Sequence, residues 1–232
     1  MTMNTGAVLF DKDGTLFDFF ATFGHAVYHV FDELSGGDLA AMRQMAKYSK
    51  YDLDKRQIAL DSPLVSEQTV FYGQVWAEIL QSPFDAAFAN SIDRLFRIHS
   101  RANITVFPQT KPVLAALAAR GLPLGVATND SEAGARDHLA AAGVEDQFCF
   151  LAGYDSGFGS KPEPGQIHAF ADHLNMTCKR LVMVGDSPHD LAAAKAAGAK
   201  AIGVTTGAAT AQELRPFADH VIASLDELPP LV

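Results

Sequence analysis

Carboxylates, a lysine and hydrogen-bonding side chains follow short apolar runs at four places in this chain. Asp11-Lys12-Asp13-Gly14-Thr15 follows Ala7-Val8-Leu9-Phe10, and Thr128-Asn129 follows Leu122 to Ala127. Lys161 lies beyond Phe148 to Ala152, and Gly185-Asp186 with Asp190 follows Leu181 to Val184. Such apolar runs bounded by polar turns read as buried strands, and open parallel sheets bind ligands outside the carboxyl ends of their strands. Four strand ends would therefore bring Asp11, Asp13, Thr128, Asn129, Lys161, Asp186 and Asp190 to one crevice. Carboxylates beside a lysine and neutral donors suit a hard cation together with a phosphate.

The same patterning extends to the rest of the chain. Ala201 to Val204 and His220 to Ala223 are two further apolar runs, giving six expected strands. Helical patterns cover Lys111 to Arg120, Ser131 to Ala142 and His189 to Ala197, each stopped by a glycine (Gly121, Gly143, Gly198) suited to the position just past a helix end. Alternation of apolar strands with helices predicts an α/β fold, a doubly wound, Rossmann-like parallel sheet. One interval breaks the rhythm. More than a hundred residues separate the first strand from the second, far more than one crossover helix needs. Inside it, Phe20 to Leu34, Asp38 to Lys47, Ser66 to Leu80 and Phe84 to Ile98 read as helices, punctuated by Pro63 and Pro83. The expected organisation is a core domain of residues 1–17 and 99–232, with a helical cap domain of residues 18–98 inserted over the end of the first strand.

Composition narrows the class. The 232 residues are 48% hydrophobic and 19% charged, enough for one or two domains with a substantial core. No apolar run approaches the roughly 18 residues of a membrane span, and the start MTMNTGAVLFDKDG does not read as a secretory signal. Eighteen Lys and Arg against 27 Asp and Glu leave a net charge of −9, which repels a nucleic-acid backbone. The two cysteines, Cys149 and Cys178, are too few for a disulfide framework and lack metal-ligand spacing. The expectation is a cytoplasmic protein with no nucleic-acid or membrane partner, a monomer or a homodimer.

The chemistry-bearing segments carry a resemblance. Asp11-Lys12-Asp13-Gly14-Thr15-Leu16 resembles the first motif of the haloacid dehalogenase superfamily in its phosphatase form. Thr128-Asn129 is similar to the second motif, Lys161-Pro162 to the third, and Gly185-Asp186-Ser187-Pro188-His189-Asp190 to the fourth. Order and spacing agree as well, over residues 5–16 and 100–228. Gly153-Tyr154-Asp155 ahead of Lys161-Pro162-Glu163-Pro164 is similar to the phosphoglycolate phosphatase branch.

The resemblance implies a Mg2+-dependent phosphatase acting on a small phosphorylated metabolite, with phosphoglycolate the best single guess. It makes Asp11 the nucleophile that forms an aspartyl-phosphate, a task for a carboxylate already ionised at neutral pH. Asp13 would protonate the leaving oxygen and then deprotonate water. Asp11, Asp186 and the backbone carbonyl of Asp13 would hold the metal, while Asp190 would orient Asp186 or a metal-bound water. Thr128, the Asn129 backbone N–H and Lys161 would bind the phosphoryl oxygens. A cation is needed on electrostatic grounds, since two like charges about 4 Å apart cost on the order of 4 kcal/mol at an effective dielectric near 20.

Rival functions leave their own marks. A dehalogenase needs no leaving-group proton, and the presence of Asp13 argues against one. A phosphomutase of the β-phosphoglucomutase type would return the phosphoryl group to a second hydroxyl rather than release it. A phosphonatase would need a Schiff-base lysine, and nothing singles out Lys47, Lys50 or Lys55. A non-catalytic protein would have lost a motif, and none is lost. His25 and His29 share a helical face but lack the Glu of a zinc-binding helix, and His189 is read as non-catalytic. Arg43, Lys47 and Lys50 read as one solvated helix face, and Phe17, Phe19, Phe20 and Phe23 as hinge and cap core.

Overall fold

In chain order, strand β1 (Ala7–Phe10) leads into helices α1 (Phe19–Ser35) and α2 (Leu39–Tyr48). A short hairpin, β2 (Tyr51–Asp52) and β3 (Gln57–Ile58), precedes α3 (Pro63–Ser66), α4 (Thr69–Ile79) and α5 (Ala86–Arg101). Strand and helix then alternate through α6 (Thr110–Ala119), β4 (Leu124–Ala127), α7 (Glu132–Ala142), β5 (Phe150–Ala152) and α8 (Gly165–His173). The chain finishes with β6 (Leu181–Gly185), α9 (Pro188–Ala197), β7 (Lys200–Val204), α10 (Ala211–Leu214) and β8 (His220–Ile222). This computed structural model describes residues 5–232. It divides into two compact units, one formed by the chain up to Asp18 with Val106–Val232, the other by Phe19–Thr105.

The first unit is built on a six-stranded sheet, ordered β5-β4-β1-β6-β7-β8 and parallel at every pairing. All four residues of β1 are buried, as the unbroken apolar run required. Pleating sends Ala7 and Leu9 to one face, where they join Ile167 and Phe170 of α8, Leu191 of α9 and Leu214. Val8 and Phe10, also fully buried, point to the opposite face. Helices α7 and α9 end on Gly143 and Gly198, both in the left-handed region at φ 66° and 75°.

Three sequence expectations need adjustment here. The second core strand starts at Leu124, because Pro123 has no N–H for the ladder; its carbonyl instead accepts from the Val8 N–H at 3.0 Å. Helix α8 has no counterpart in the sequence reading. The expected helix from Ser66 to Leu80 is broken, since Glu67 and Gln68 take extended backbone at ψ 155° and 156°. Ser62 caps a separate turn with Pro63 in its first position, and that turn ends before α4 begins.

The second unit packs α1, α2, α4 and α5 around Val27, Val30, Phe31, Met42, Met45, Trp76, Ile92 and Leu95. Trp76 is fully buried, and its indole N–H donates to Ser49 Oγ at 3.0 Å, so its one polar atom is satisfied. Phe19, Phe20 and Phe23 lie against this core, while Phe17 is buried in the first unit. Lys50 corrects another expectation. It lies past the end of α2, takes φ 48° and pairs with Asp61 at 2.6 Å, so it does not share a helix face with the exposed Arg43 and Lys47. Among the described residues no helix is long and apolar enough to cross a membrane.

Candidate active site

Central placement of β1 decides where the chemistry gathers. It pairs with β4 on one side and β6 on the other, with Phe10 beside Val126 and Val184. The chain then leaves the sheet at Asp11, whose N–H still donates to the Val184 carbonyl at 2.8 Å. Thr128 is held likewise at the end of β4 by its N–H on the Ala152 carbonyl, 2.9 Å. At the end of β6 the chain turns into α9 through a capping box: Ser187 Oγ accepts from the Asp190 N–H, and Asp190 Oδ2 accepts from the Ser187 N–H at 3.0 Å and its hydroxyl at 2.7 Å.

Lys161 ties the strand ends together. Its Nζ lies 2.6 Å from Asp11 Oδ1 and 2.6 Å from Asp190 Oδ1, and it donates to the Ala127 carbonyl at 2.8 Å. The loop that delivers it is clamped by the Asn129 side chain, which donates to the Lys161 carbonyl and accepts from its N–H, both at 2.9 Å. Asn129 thus has a second task, beyond the backbone N–H expected to meet a phosphate. Thr128 Oγ1 accepts from the Asp130 N–H at 3.1 Å, which leaves its own proton to donate. Of the expected residues, Asp11, Lys161, Asp190 and Asp186 form one cluster, and Asp13 faces a different partner.

That partner is Lys12, which the sequence reading passed over. Its Nζ sits 2.5 Å from Asp13 Oδ2, 3.1 Å from Asp130 Oδ2 and 2.9 Å from His138 Nδ1. Burial alone would depress the Lys12 pKa, but Asp13 and Asp130 outweigh it and hold it above the usual lysine range. Burial and the Lys12 charge together push His138 down to about 3, so this imidazole is neutral. Three more residues, Thr206, Gly207 and Gln166, were missed because they lie far along the chain. Thr206 donates to the Gly14 carbonyl at 2.6 Å, and a Cβ on either Gly14 or Gly207 would overlap the Asp186 carboxylate. Gln166 of α8 donates to the carbonyls of Thr128, Gly153 and Gly159 at 3.0 to 3.2 Å, joining the loops that follow β4 and β5.

Asp11, Asp186 and Asp190 each offer an oxygen, all within 4.8 Å of one another. Three carboxylates face a single ammonium there. Burial, opposed by Lys161 and reinforced by Asp190, pushes Asp11 up to about 7, and burial with the Asp11 charge pushes Asp186 well above the carboxylate range. An all-oxygen group short of positive charge fits a hard divalent cation. Both Asp190 oxygens are already engaged, by Lys161 and by Ser187, which favours Asp11 and Asp186 as the direct ligands. The raised carboxyls carry a consequence for binding, since a cation must displace their protons. The apparent affinity for a divalent cation is expected to rise with pH through about 7, by up to about tenfold per pH unit for each proton displaced. Calorimetry in two buffers of different ionisation enthalpy should show proton release on binding; pH-independent affinity without release would contradict this.

The family model of the haloacid dehalogenase-like hydrolases matches residues 5–198. Phosphoglycolate phosphatase of Rhodospirillum rubrum is 32% identical over 209 residues, spanning 87% of this chain and 80% of that one. Phosphoglycolate phosphatase of Neisseria meningitidis serogroup A is 36% identical over 139 residues, 58% of this chain and 59% of its own. Among solved structures, a predicted phosphoglycolate phosphatase of Haemophilus somnus superposes with a TM-score of 0.72 over 98% of both chains. At 20% identity that last likeness is one of fold.

Proposed function

The chain belongs to the haloacid dehalogenase-like hydrolases, and from that premise we propose that it is a Mg2+-dependent phosphatase of a small phosphorylated metabolite, phosphoglycolate first. The observation that carries the reading is Asp13. It stands two residues from Asp11, and its Oδ1 is a buried oxygen with no partner in the protein. A carboxyl so placed offers the proton that an alkoxide leaving group needs.

In this mechanism the Asp11 carboxylate attacks phosphorus, the bond to the ester oxygen breaks, and Asp13 protonates that oxygen as it leaves. Water, deprotonated by Asp13, then attacks the aspartyl-phosphate, releasing phosphate and restoring Asp11. Lys161 holds Asp11 in line and neutralises phosphoryl oxygens, with the Thr128 hydroxyl and the Asn129 N–H donating to the oxygens where charge spreads. A divalent cation bound by Asp11, Asp186 and the Asp13 carbonyl would supply charge neutralisation, with Asp190 fixing its surroundings. Selection among leaving groups is assigned to the helical unit, and the setting to the cytoplasm.

The test is phosphate release by the purified protein with Mg2+ from phosphoglycolate, sugar phosphates, a sugar bisphosphate, nucleoside monophosphates and phosphonoacetaldehyde. Release from one small phosphomonoester far above the rest is expected. Conversion of a sugar phosphate to its isomer without release would replace this reading by a phosphomutase, and cleavage confined to phosphonoacetaldehyde would replace it by a phosphonatase.

A further inference from the structure

Lys12 has no part in the steps above, yet it is 0% exposed at the turn that carries the two catalytic carboxyls. A fully buried ammonium is costly unless paired and hydrogen-bonded, and an apolar side chain of similar length would fill the same space without that cost. Its partners supply the pairing from two other parts of the fold. Asp130, on the loop after β4, is itself fixed by the Ser131 N–H donating to its Oδ1 at 2.7 Å. His138, on α7, is 1% exposed and stands edge-on to Phe17, ring centres 6.4 Å apart. These anchors hold the ammonium in place 2.5 Å from Asp13 Oδ2. Asp13 Oδ1 is the oxygen left over, buried and without a partner.

We propose that Lys12, anchored by Asp130 and His138, is a positioning residue for the acid–base carboxyl: it clamps Asp13 Oδ2 so that Oδ1 is the oxygen presented to the leaving group. The proposal rests on the reading of Asp13 as acid and base. Lys12 itself exchanges no proton and touches no substrate. Without the clamp, the Asp13 carboxyl faces Asp130 across the vacated position; Asp130 keeps its bond from the Ser131 N–H, but Asp13 Oδ2 has lost its partner and Asp13 rotates away from the ester oxygen.

Leaving-group dependence separates this role from a merely structural one. A poor, alkyl leaving group needs the proton from Asp13, whereas p-nitrophenolate departs without it. In Lys12→Met, kcat/KM for phosphoglycolate (or the alkyl ester the panel selects) is expected to fall about 10²-fold, while that for p-nitrophenyl phosphate falls no more than a few-fold. Asp13→Asn should show the same selective loss, and the double variant should be no worse than Asp13→Asn alone. His138→Phe and Asp130→Asn, which loosen the anchor and keep the clamp, should lose about tenfold with the same selectivity; they serve if Lys12→Met does not fold. An equal fall for both esters in the Lys12, Asp130 and His138 variants, with Asp13→Asn remaining selective, would overturn the clamp and leave the acid intact. An equal fall in Asp13→Asn itself would overturn the acid assignment and the clamp with it.

Discussion

Asp11→Asn protein is expected to fold normally and to lose at least about 10⁴-fold in turnover, because an amide is a poor nucleophile and no neighbouring group can take over. The fold should survive because the substitution removes a charge from a place that has too many. Asp11 shares its surroundings with Asp186 and Asp190, and Lys161 keeps its pairing to Asp190 at 2.6 Å. The pH dependence sharpens the expectation. Burial raises Asp11 to about 7, so the folded chain holds a proton there that the unfolded chain gives up at lower pH. Stability of the cation-free protein should therefore fall as pH rises between the ordinary carboxylate range and about 7, and the variant should lose less over the same range. Thermal unfolding with chelator at about pH 5 and about pH 8 checks the second half, and phosphate release checks the first. Turnover within tenfold of the parent would contradict the role of Asp11.

Lys161→Met should fail in the opposite manner, through stability as well as rate. The side chain is 3% exposed and separates Asp11 from Asp190, so its removal leaves two buried carboxylates uncompensated. Breaking a buried pair in this way costs about 3–5 kcal/mol. At low pH the orphaned Asp11 carboxyl, already raised by burial, takes up a proton and the deficit shrinks; as pH rises it must ionise and the deficit grows. Mg2+ should recover part of the lost stability by replacing the missing positive charge, yet turnover should stay about 10²–10³-fold down, because the proposed mechanism also gives Lys161 the developing phosphoryl charge to neutralise. Denaturant unfolding across pH, with and without Mg2+, reads the first effect and phosphate release the second. A variant as stable as the parent at about pH 8 would show that the pairing is not what holds these strand ends together.

What could be read from the sequence was whatever lies within a few residues of a strand end. The runs Ala7 to Phe10 and Leu181 to Val184 are apolar at every position because both faces of the sheet are covered, and the polar residue after each run marks the crevice. Asp11, Thr128, Asp186 and Asp190 were legible for that reason, whereas Lys161 lies well beyond the end of β5 and was reached through the resemblance of Lys161-Pro162 to a family motif. Helix α8 was missed although Ile167, Phe170, Ala171 and Leu174 repeat at helical spacing after Pro164; attention to that period would have found it. The hairpin of β2 and β3 has two residues in each strand and no periodicity to read. Lys12 was invisible for another reason. In a turn it reads as a solvated lysine, and its partner His138 lies 126 residues away. Gly207 likewise shows its purpose only when Asp186 is beside it.

Covalent catalysis by Asp11 is the claim on which the rest depends, and the stereochemical course at phosphorus tests it most directly. The ester hydrolysed fastest in the panel, made chiral at phosphorus with oxygen isotopes, would be turned over in isotopically labelled water and the released phosphate analysed. Transfer to Asp11 and then to water inverts phosphorus twice, so net retention is predicted. Net inversion would mean that water displaces the leaving group in one step, and Asp11 would then be a binding group and not the nucleophile.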